Sequence, residues 1–249
     1  PSVQLTLETA LATVASEKIL TVCAGRTDSG VHAREQVVHF DTNAVRPDKA
    51  WVLGVNTKLP DDISVNWVKS VDANFHARFS ATARTYRYCI NNHPVRSALS
   101  RELMTSIRKP LDHQAMCQAA QFLLGENDFS SFRGSSCQSK TPFRFIHHIE
   151  VCRSGSLLVI EIKANAFLHH MVRNIVGVLI KIGHGEKPVQ WMKEVLEAKD
   201  RRSAGVTAAA NGLYLVKVDY PAGFQLPQRA LNPLKEGRDF EGILVGDFC

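Results

Sequence analysis

The chain has 249 residues, 45% of them hydrophobic and 22% charged, with 15 Gly and 10 Pro, a composition that excludes disordered and collagen-like classes and accommodates two modest domains. The longest apolar stretch, around Met171 to Ile182, is broken by Arg173, Asn174 and Lys181 and falls short of the roughly 20 residues a membrane helix needs, so no membrane partner is expected. Thirty Lys+Arg against 24 Asp+Glu leave a net charge of +6, and the excess is concentrated: Arg78, Arg84, Arg87, Arg96, Arg101, Arg108 and Lys109 share their stretch with the single acid Glu102. Phe79, Tyr86 and Tyr88 interleave with these cations, which suits phosphate contact combined with base stacking, although a solvated basic face would look the same.

In chain order, Val3, Leu7, Ala10, Leu11 and Val14 recur at helical spacing behind Ser2, a suitable N-cap, and predict an amphipathic helix with no signal peptide before it. Ile19 to Ala24 and Gln36 to Phe40 read as strands, leaving Gly25 to Glu35 as the loop between them. A helix over Asp48 to Val55, a turn at Leu59 to Asp62 and a strand from Ile63 to Val68 complete a first domain, residues 1–82. The second, residues 83–220, opens with a strand from Phe79 to Ile90. It continues with a helix from Asp112 to Leu124 stopped by Gly125, and a hairpin of Phe143 to Cys152 and Leu157 to Lys163 about Ser154-Gly155. Asn165 is expected to cap a helix running to Ile182, Pro188 to start another ending near Lys199, and Leu213 to Val218 to form the last strand. Residues 221–249 are prolyl and aperiodic and read as a tail. The six cysteines form no CxxC pair and read as small buried hydrophobes in a reducing compartment, which points to the cytoplasm.

Several chemistries lack their signatures. There is no GxxxxGK[ST], no GxGxxG between strand and helix, and no GxSxG; Gly183-His184-Gly185 follows a helix and reads as its stop. His147-His148 and His169-His170 invite a metal, but adjacent histidines tend to point to different faces and no HxxxH or CxxC accompanies them, so no metal site is assigned. What remains is Ala24-Gly25-Arg26-Thr27-Asp28-Ser29-Gly30-Val31-His32-Ala33, a polar loop between apolar strands. Its glycines permit sharp turning and close approach of a ligand, while Arg26 and Asp28 place a cation and a carboxylate together; a structural turn with a local ion pair is the alternative. Apolar residues nearly encircle the segment Phe167 to Val176, so Arg173 within it must be partly buried and needs an anion. No acid lies three or four positions away, and Asp28 is a candidate; an arginine so placed favours the ionised carboxylate, ready to act as nucleophile or base.

The residues Ala24 to His32 resemble the catalytic motif of the tRNA pseudouridine synthase A family, which modifies tRNA uridines 38–40. Asn74-Phe75-His76-Ala77-Arg78-Phe79-Ser80-Ala81, Arg84-Thr85-Tyr86-Arg87-Tyr88, Gly125-Glu126-Asn127-Asp128-Phe129, Ala164 to Asn174 and Gly212-Leu213-Tyr214-Leu215 are similar to that family in the same order, so the likeness runs from Ser2 to about Tyr220. It implies an α/β (α+β) fold of two domains whose antiparallel sheets merge into one central sheet with helices packed outside, acting as a homodimer with basic clefts for tRNA and no cofactor or metal. By the same resemblance Asp28 is the catalytic aspartate, Arg173 its partner and Tyr86 the tyrosine that packs on the target base and assists the chemistry. Arg26 corresponds in that family to the loop arginine that guides the RNA or flips the base, while Arg78 is expected to contact phosphate and Leu213 to line the base pocket. The family opens with a strand and a loop bearing Tyr-Asp-Gly and Trp-Gln; this chain shows neither, so its first domain is expected to lack that N-terminal strand. A tRNA-binding protein or chaperone of the same fold without chemistry, and a nucleoside hydrolase using Asp28, are the competing readings.

Overall fold

The computed structural model describes residues 2–227, which fall into two compact units. One consists of the chain up to Arg26, Gln36–Thr82 and the stretch from Tyr220; the other contains Thr27–Glu35 and Ala83–Asp219. The loop that carries Asp28 is thus grouped with the second unit, not with the rest of the first 82 residues.

In the first unit, α1 (Val3–Ala15) starts where the Ser2 hydroxyl accepts the Leu5 N–H at 3.2 Å. β1 (Val22–Cys23) pairs antiparallel with β3 (Val38–His39), and between them the loop carries β2 (His32–Ala33), which belongs to the other unit's sheet. The ladder is shorter than the expected strands because side chains take the backbone groups ahead of it. The Glu8 carboxylate accepts the Thr21 N–H at 2.8 Å, and Gln4 Nε2 donates to the Thr21 carbonyl at 2.8 Å. That N–H bond is the leading reason the Glu8 carboxyl is held below its ordinary value. α2 (Asp48–Asn56) packs on α1, with Ala10, Leu11, Ala15, Ile19, Trp51 and Val55 forming the core. The strand expected over 63–68 is irregular: the Asn56 side-chain amide satisfies both the N–H and the C=O of Val65, at 2.7 and 2.8 Å.

The second unit is built on a seven-stranded mixed sheet. Its members are β2, β4 (Ala83–Asn92), β5 (Thr105–Ile107), β6 (Gly125–Asp128), β7 (Phe143–Ser154), β8 (Leu157–Ala164) and β9 (Leu213–Asp219), in the order β2-β9-β4-β8-β7-β6 with β5 also on β4. β2 lies parallel to β9 and β5 parallel to β4; the other pairs are antiparallel. β2 is the sole segment of the first 82 residues that joins this sheet among the described residues. β4 is central and buried from Ala83 to Ile90, with Tyr88 opposite Ile160 on one side and Leu213 on the other. Cys89, Met104, Val159 and Tyr214 make a second cluster. The remaining helices are α3 (His113–Ala120), α4 (Met171–Gly183) and α5 (Trp191–Ala198).

Several boundaries differ from the pattern read in the sequence. The strand expected from Phe79 starts at Ala83 because Phe79 lies in a turn, where Ser80 N–H bonds the His76 carbonyl. α3 stops at Ala120, tightens into a 3₁₀ turn over Gln121–Leu123, and Gly125, at φ +82°, opens β6 instead of closing a helix. Asn165 does not cap α4; its Oδ1 accepts the N–H groups of Phe145 and Ala166, and the helix begins six residues later behind His170. The basic stretch is no single face either: Arg84 and Arg87 are buried in β4, Arg87 paired with Glu161 at 2.6 Å, and Tyr86 and Tyr88 are buried with them. Beyond β9 the chain rejoins the first unit, where Tyr220 donates its hydroxyl to the Ala77 carbonyl at 2.6 Å and the Phe224 ring meets Phe75 edge-on. The expected tail from 228 onward lies outside the described residues.

Candidate active site

The Asp28 loop is shaped by a four-residue turn in which Val31 N–H bonds the Asp28 carbonyl at 3.0 Å. Gly30 sits at φ +80°, a conformation open to glycine and strained for other residues, and a Cβ there would stand 3.3 Å from that of Ala210. Gly25, by contrast, needs no positive φ; its backbone is pinned by the Gln36 side chain, which donates to the Gly25 carbonyl at 2.6 Å. After the turn, His32 and Ala33 pair with Tyr214 and Leu215, the His32 ring stacks on Tyr214 at 4.7 Å, and Arg34 N–H bonds the Leu215 carbonyl. The strand pairing holds the loop against the sheet and leaves Asp28 pointing toward α4.

α4 is buried over most of its circumference, and the counter-ion that Arg173 needs is Asp28, Nη1 to Oδ2 at 3.0 Å, across 145 positions of sequence. The arginine side chain is 15% exposed and the aspartate 31%, so the pair is shielded on the arginine's side and open on the carboxylate's. Arg173 is held by more than its charge. Its Nε donates to the Ala208 carbonyl at 2.8 Å, and its own carbonyl accepts the Ala208 N–H at 3.1 Å, a two-bond bridge between helix and loop. Asn174, wholly buried, fixes the same loop: its Oδ1 accepts Thr207 Oγ1 at 2.7 Å and Arg201 Nη2 at 3.0 Å, while its Nδ2 donates to the Phe132 carbonyl. Such supports keep the guanidinium in one rotamer aimed at the loop.

Two more side chains meet the carboxylate that the sequence argument did not assign to it. His169 Nε2 lies 3.3 Å from Asp28 Oδ1 and His170 Nε2 lies 3.1 Å from Oδ2, their rings stacked at 3.7 Å. Adjacent side chains converge here because His170 adopts a left-handed backbone, φ +61°, at the cap of α4.

Asp28, His169 and His170 bring their ligand atoms within 4.8 Å of one another. The rings lie nearly parallel, 28° apart, which sends their lone pairs side by side instead of toward one point, and Arg173 already occupies Oδ2. The carboxylate is thus met by one charge-assisted hydrogen bond, from Arg173, and by two imidazole nitrogens. Burial is the main influence holding the His170 imidazole below its ordinary value, with His169, Arg173 and Arg201 acting in the same sense against the pull of Asp28.

The other expected residues fall in different places. Tyr86 stands on β4, two strands across the sheet from β2, with 8% exposure and the Phe167 ring edge-on at 5.0 Å. Leu213 is buried at the start of β9, opposite Tyr88. Arg26 and Arg78 belong to the first unit and are exposed, Arg78 with its guanidinium 5.7 Å from the Phe79 ring centre.

Comparison with known proteins bears on the same segments. Residues 119–221, which include α4, His169, His170 and Arg173, match the family model described as tRNA pseudouridine synthase. The tRNA pseudouridine synthase A of Actinobacillus succinogenes is 59% identical over 233 residues, covering 94% of this chain and 88% of that protein. Those of Pseudoalteromonas atlantica and Cronobacter sakazakii are 59% and 60% identical, covering 96% and 94% of this chain and 91% and 86% of their own. Likeness of this depth along nearly the whole sequence, Asp28 loop and α4 included, means that the chain belongs to the tRNA pseudouridine synthase A family.

Proposed function

We propose that this protein isomerises uridine to pseudouridine in the anticodon stem-loop of tRNA, at positions 38–40, with Asp28 as the catalytic carboxylate. The observation that carries the reading is the 3.0 Å pair between Asp28 and Arg173, formed in a chain whose relatives are named for this reaction. The reaction breaks the N1–C1′ bond, turns the freed uracil and joins C5 to C1′; C5 loses a proton and N1 gains one. Oxidation state is conserved, so an anion and a means of orienting the base suffice, without a cofactor.

Asp28 is the reacting anion, acting as nucleophile or as base on the ribose or uracil, and Arg173 keeps its charge in place. The open side of the carboxylate admits the flipped nucleotide, and the bound base itself then excludes water there. Tyr86 packs on the uracil and assists loss of the C5 proton, and Leu213 lines the base site; with Tyr86 so little exposed, its engagement requires Phe167 to yield an edge. Arg26 and Arg78 contact the RNA and offset the cost of unstacking, a few kcal/mol per base by general estimates. The enzyme works in the cytoplasm as a homodimer.

Release of tritium from tRNA labelled at uridine C5 tests the assignment. Wild-type protein should release it and Asp28→Asn should not; equal release from both would refute Asp28. A binding protein without chemistry would leave both silent with tRNA affinity intact, and a nucleoside hydrolase would liberate free uracil.

A further inference from the structure

We infer that His169 and His170 are positioning residues that clamp the Asp28 carboxylate through their Nε2–H groups, and that Ser136 sets the tautomer of His169 that makes this possible. The inference deepens the reading of Asp28 given above and rests on it for its kinetic consequences, though not for its geometry.

A neutral imidazole has one donor and one acceptor nitrogen, and an ionised carboxylate only accepts. Nε2 of each ring stands within ion-pair distance of an Asp28 oxygen, at 3.3 and 3.1 Å, and a proton on each Nε2 is the arrangement that makes both contacts attractive. Nδ1 of His169 is then an acceptor, and Ser136 Oγ, 3.0 Å away, must donate to it. The rest of His169 is equally fixed: its N–H points at Cys137 Sγ at 3.4 Å and its carbonyl accepts the Gly134 N–H at 2.8 Å. A Cβ at Gly134 would stand 2.8 Å from His169 Nδ1, so the loop reaches the ring only because that residue is glycine. His170 in turn accepts the left-handed backbone that turns its ring alongside. Strain of this kind persists where the surroundings over-determine it.

Counting acceptors gives the consequence. Oδ2 accepts from Arg173 and also meets His170, whereas Oδ1 meets His169 alone, which makes Oδ1 the less engaged oxygen and the one open to substrate. The groups that act on the His170 ring are Asp28, His169, Arg173 and Arg201, and the Ser136 hydroxyl meets the His169 ring. Burial, with His169, Arg173 and Arg201 acting in the same sense, opposes a positive charge on the His170 ring.

Two measurements test this. Glutamine presents its side-chain N–H where histidine presents Nε2–H but cannot pass a proton on. In the tritium-release assay, His169→Ala should lower kcat roughly 10- to 100-fold with little change in KM, the scale for a hydrogen bond to a charged group that fixes orientation. His169→Gln should recover most of that loss, and Ser136→Ala should fall between. An equal deficit in the glutamine and alanine variants, or a deficit in KM alone, would overturn the clamp. The second readout needs no activity: long-range ¹H–¹⁵N spectra of the imidazoles should show His169 and His170 as Nε2–H tautomers, His169 becoming mixed in Ser136→Ala and both signals shifting in Asp28→Asn. A wild-type His169 protonated at Nδ1, or imidazoles indifferent to Asp28→Asn, would refute the clamp even if the isomerase reading itself failed.

Discussion

A guanidinium shielded to the degree of Arg173 is tolerable only with an acceptor for each face, and it has them in Asp28 and Ala208. Removing it strands a carboxylate among two histidines. Because Asp28 retains 31% exposure, Arg173→Ala should cost about 2–3 kcal/mol in urea titration, somewhat under the 3–5 expected when a fully buried pair is broken. An unchanged midpoint would show the pair to be dispensable for folding. His170 gives a pH signature with a definite sign. Its folded-state value is lowered, chiefly by burial, so the unfolded chain binds more protons once pH falls below about 6.5, and stability declines with acidification there. His170→Gln should flatten that part of the stability curve between pH 7 and pH 5; an identical slope would remove His170 as a contributor. Thiol reactivity is divided in the same way. Burial pushes Cys89 up to about 12, while at Cys137 the His169 and Ser139 N–H groups and Arg133 outweigh burial and bring the thiol below its usual value. Iodoacetamide near neutral pH should therefore label Cys137 well before Cys89, as peptide mass mapping would show. At this scale the sequence disclosed a great deal. An arginine inside an apolar helix demands an acid, and the polar loop held the acid that meets it. It did not disclose the histidine pair, because a left-handed residue without glycine leaves no compositional trace.

Among the elements, α4 and the loop after Arg201 behave as one body. A Cβ on Gly177 would come within 1.9 Å of the Val206 carbonyl oxygen, a distance no side-chain adjustment relieves, since the obstacle is backbone. Gly177→Ala must push Val206, and with it Thr207 and Ala208, off the helix, releasing the bridge to Arg173. We expect a stability loss of about 3 kcal/mol or more, at the upper end for overpacking, accompanied by a fall in kcat. Intact kcat in a folded variant would separate the loop from the site. Long, strongly patterned elements such as α1 and the β7–β8 hairpin could be read from periodicity, with Gly155 at φ +58° marking the turn. Shorter ones could not. The pairing partners of Thr21 and Val65 are side chains of Gln4, Glu8 and Asn56, and no strand pattern reveals that a side chain will take a strand's place. The parallel pairing of β2 was hidden for another reason: two residues are too few to carry an alternation.

For the molecule as a whole, the +6 charge predicts that tRNA affinity falls with salt, log K against log salt having a negative slope of somewhat under one per phosphate neutralised, as on B-form DNA. Arg78→Ala should make that slope shallower by about 1 while leaving tritium-release kcat intact. No change in slope would place Arg78 outside the RNA footprint. Arg84 and Arg87 should not affect the slope, since both are buried in the sheet; charge counted along the chain overstated the basic surface by including them.

The reactive acid also has an unusual origin. Thr27–Glu35 is nine residues lent by a chain that is otherwise part of the first unit at both flanks, and β2 is what secures the loan. A polypeptide restricted to Ala83–Asp219 would own both imidazoles and the guanidinium yet have no anion for them to surround. Assembly of the centre is therefore a long-range closure, of the sort that comes late and slowly in folding. A synthetic peptide spanning the loop, offered to such a truncated protein, would have to add itself as an edge strand before any chemistry could begin.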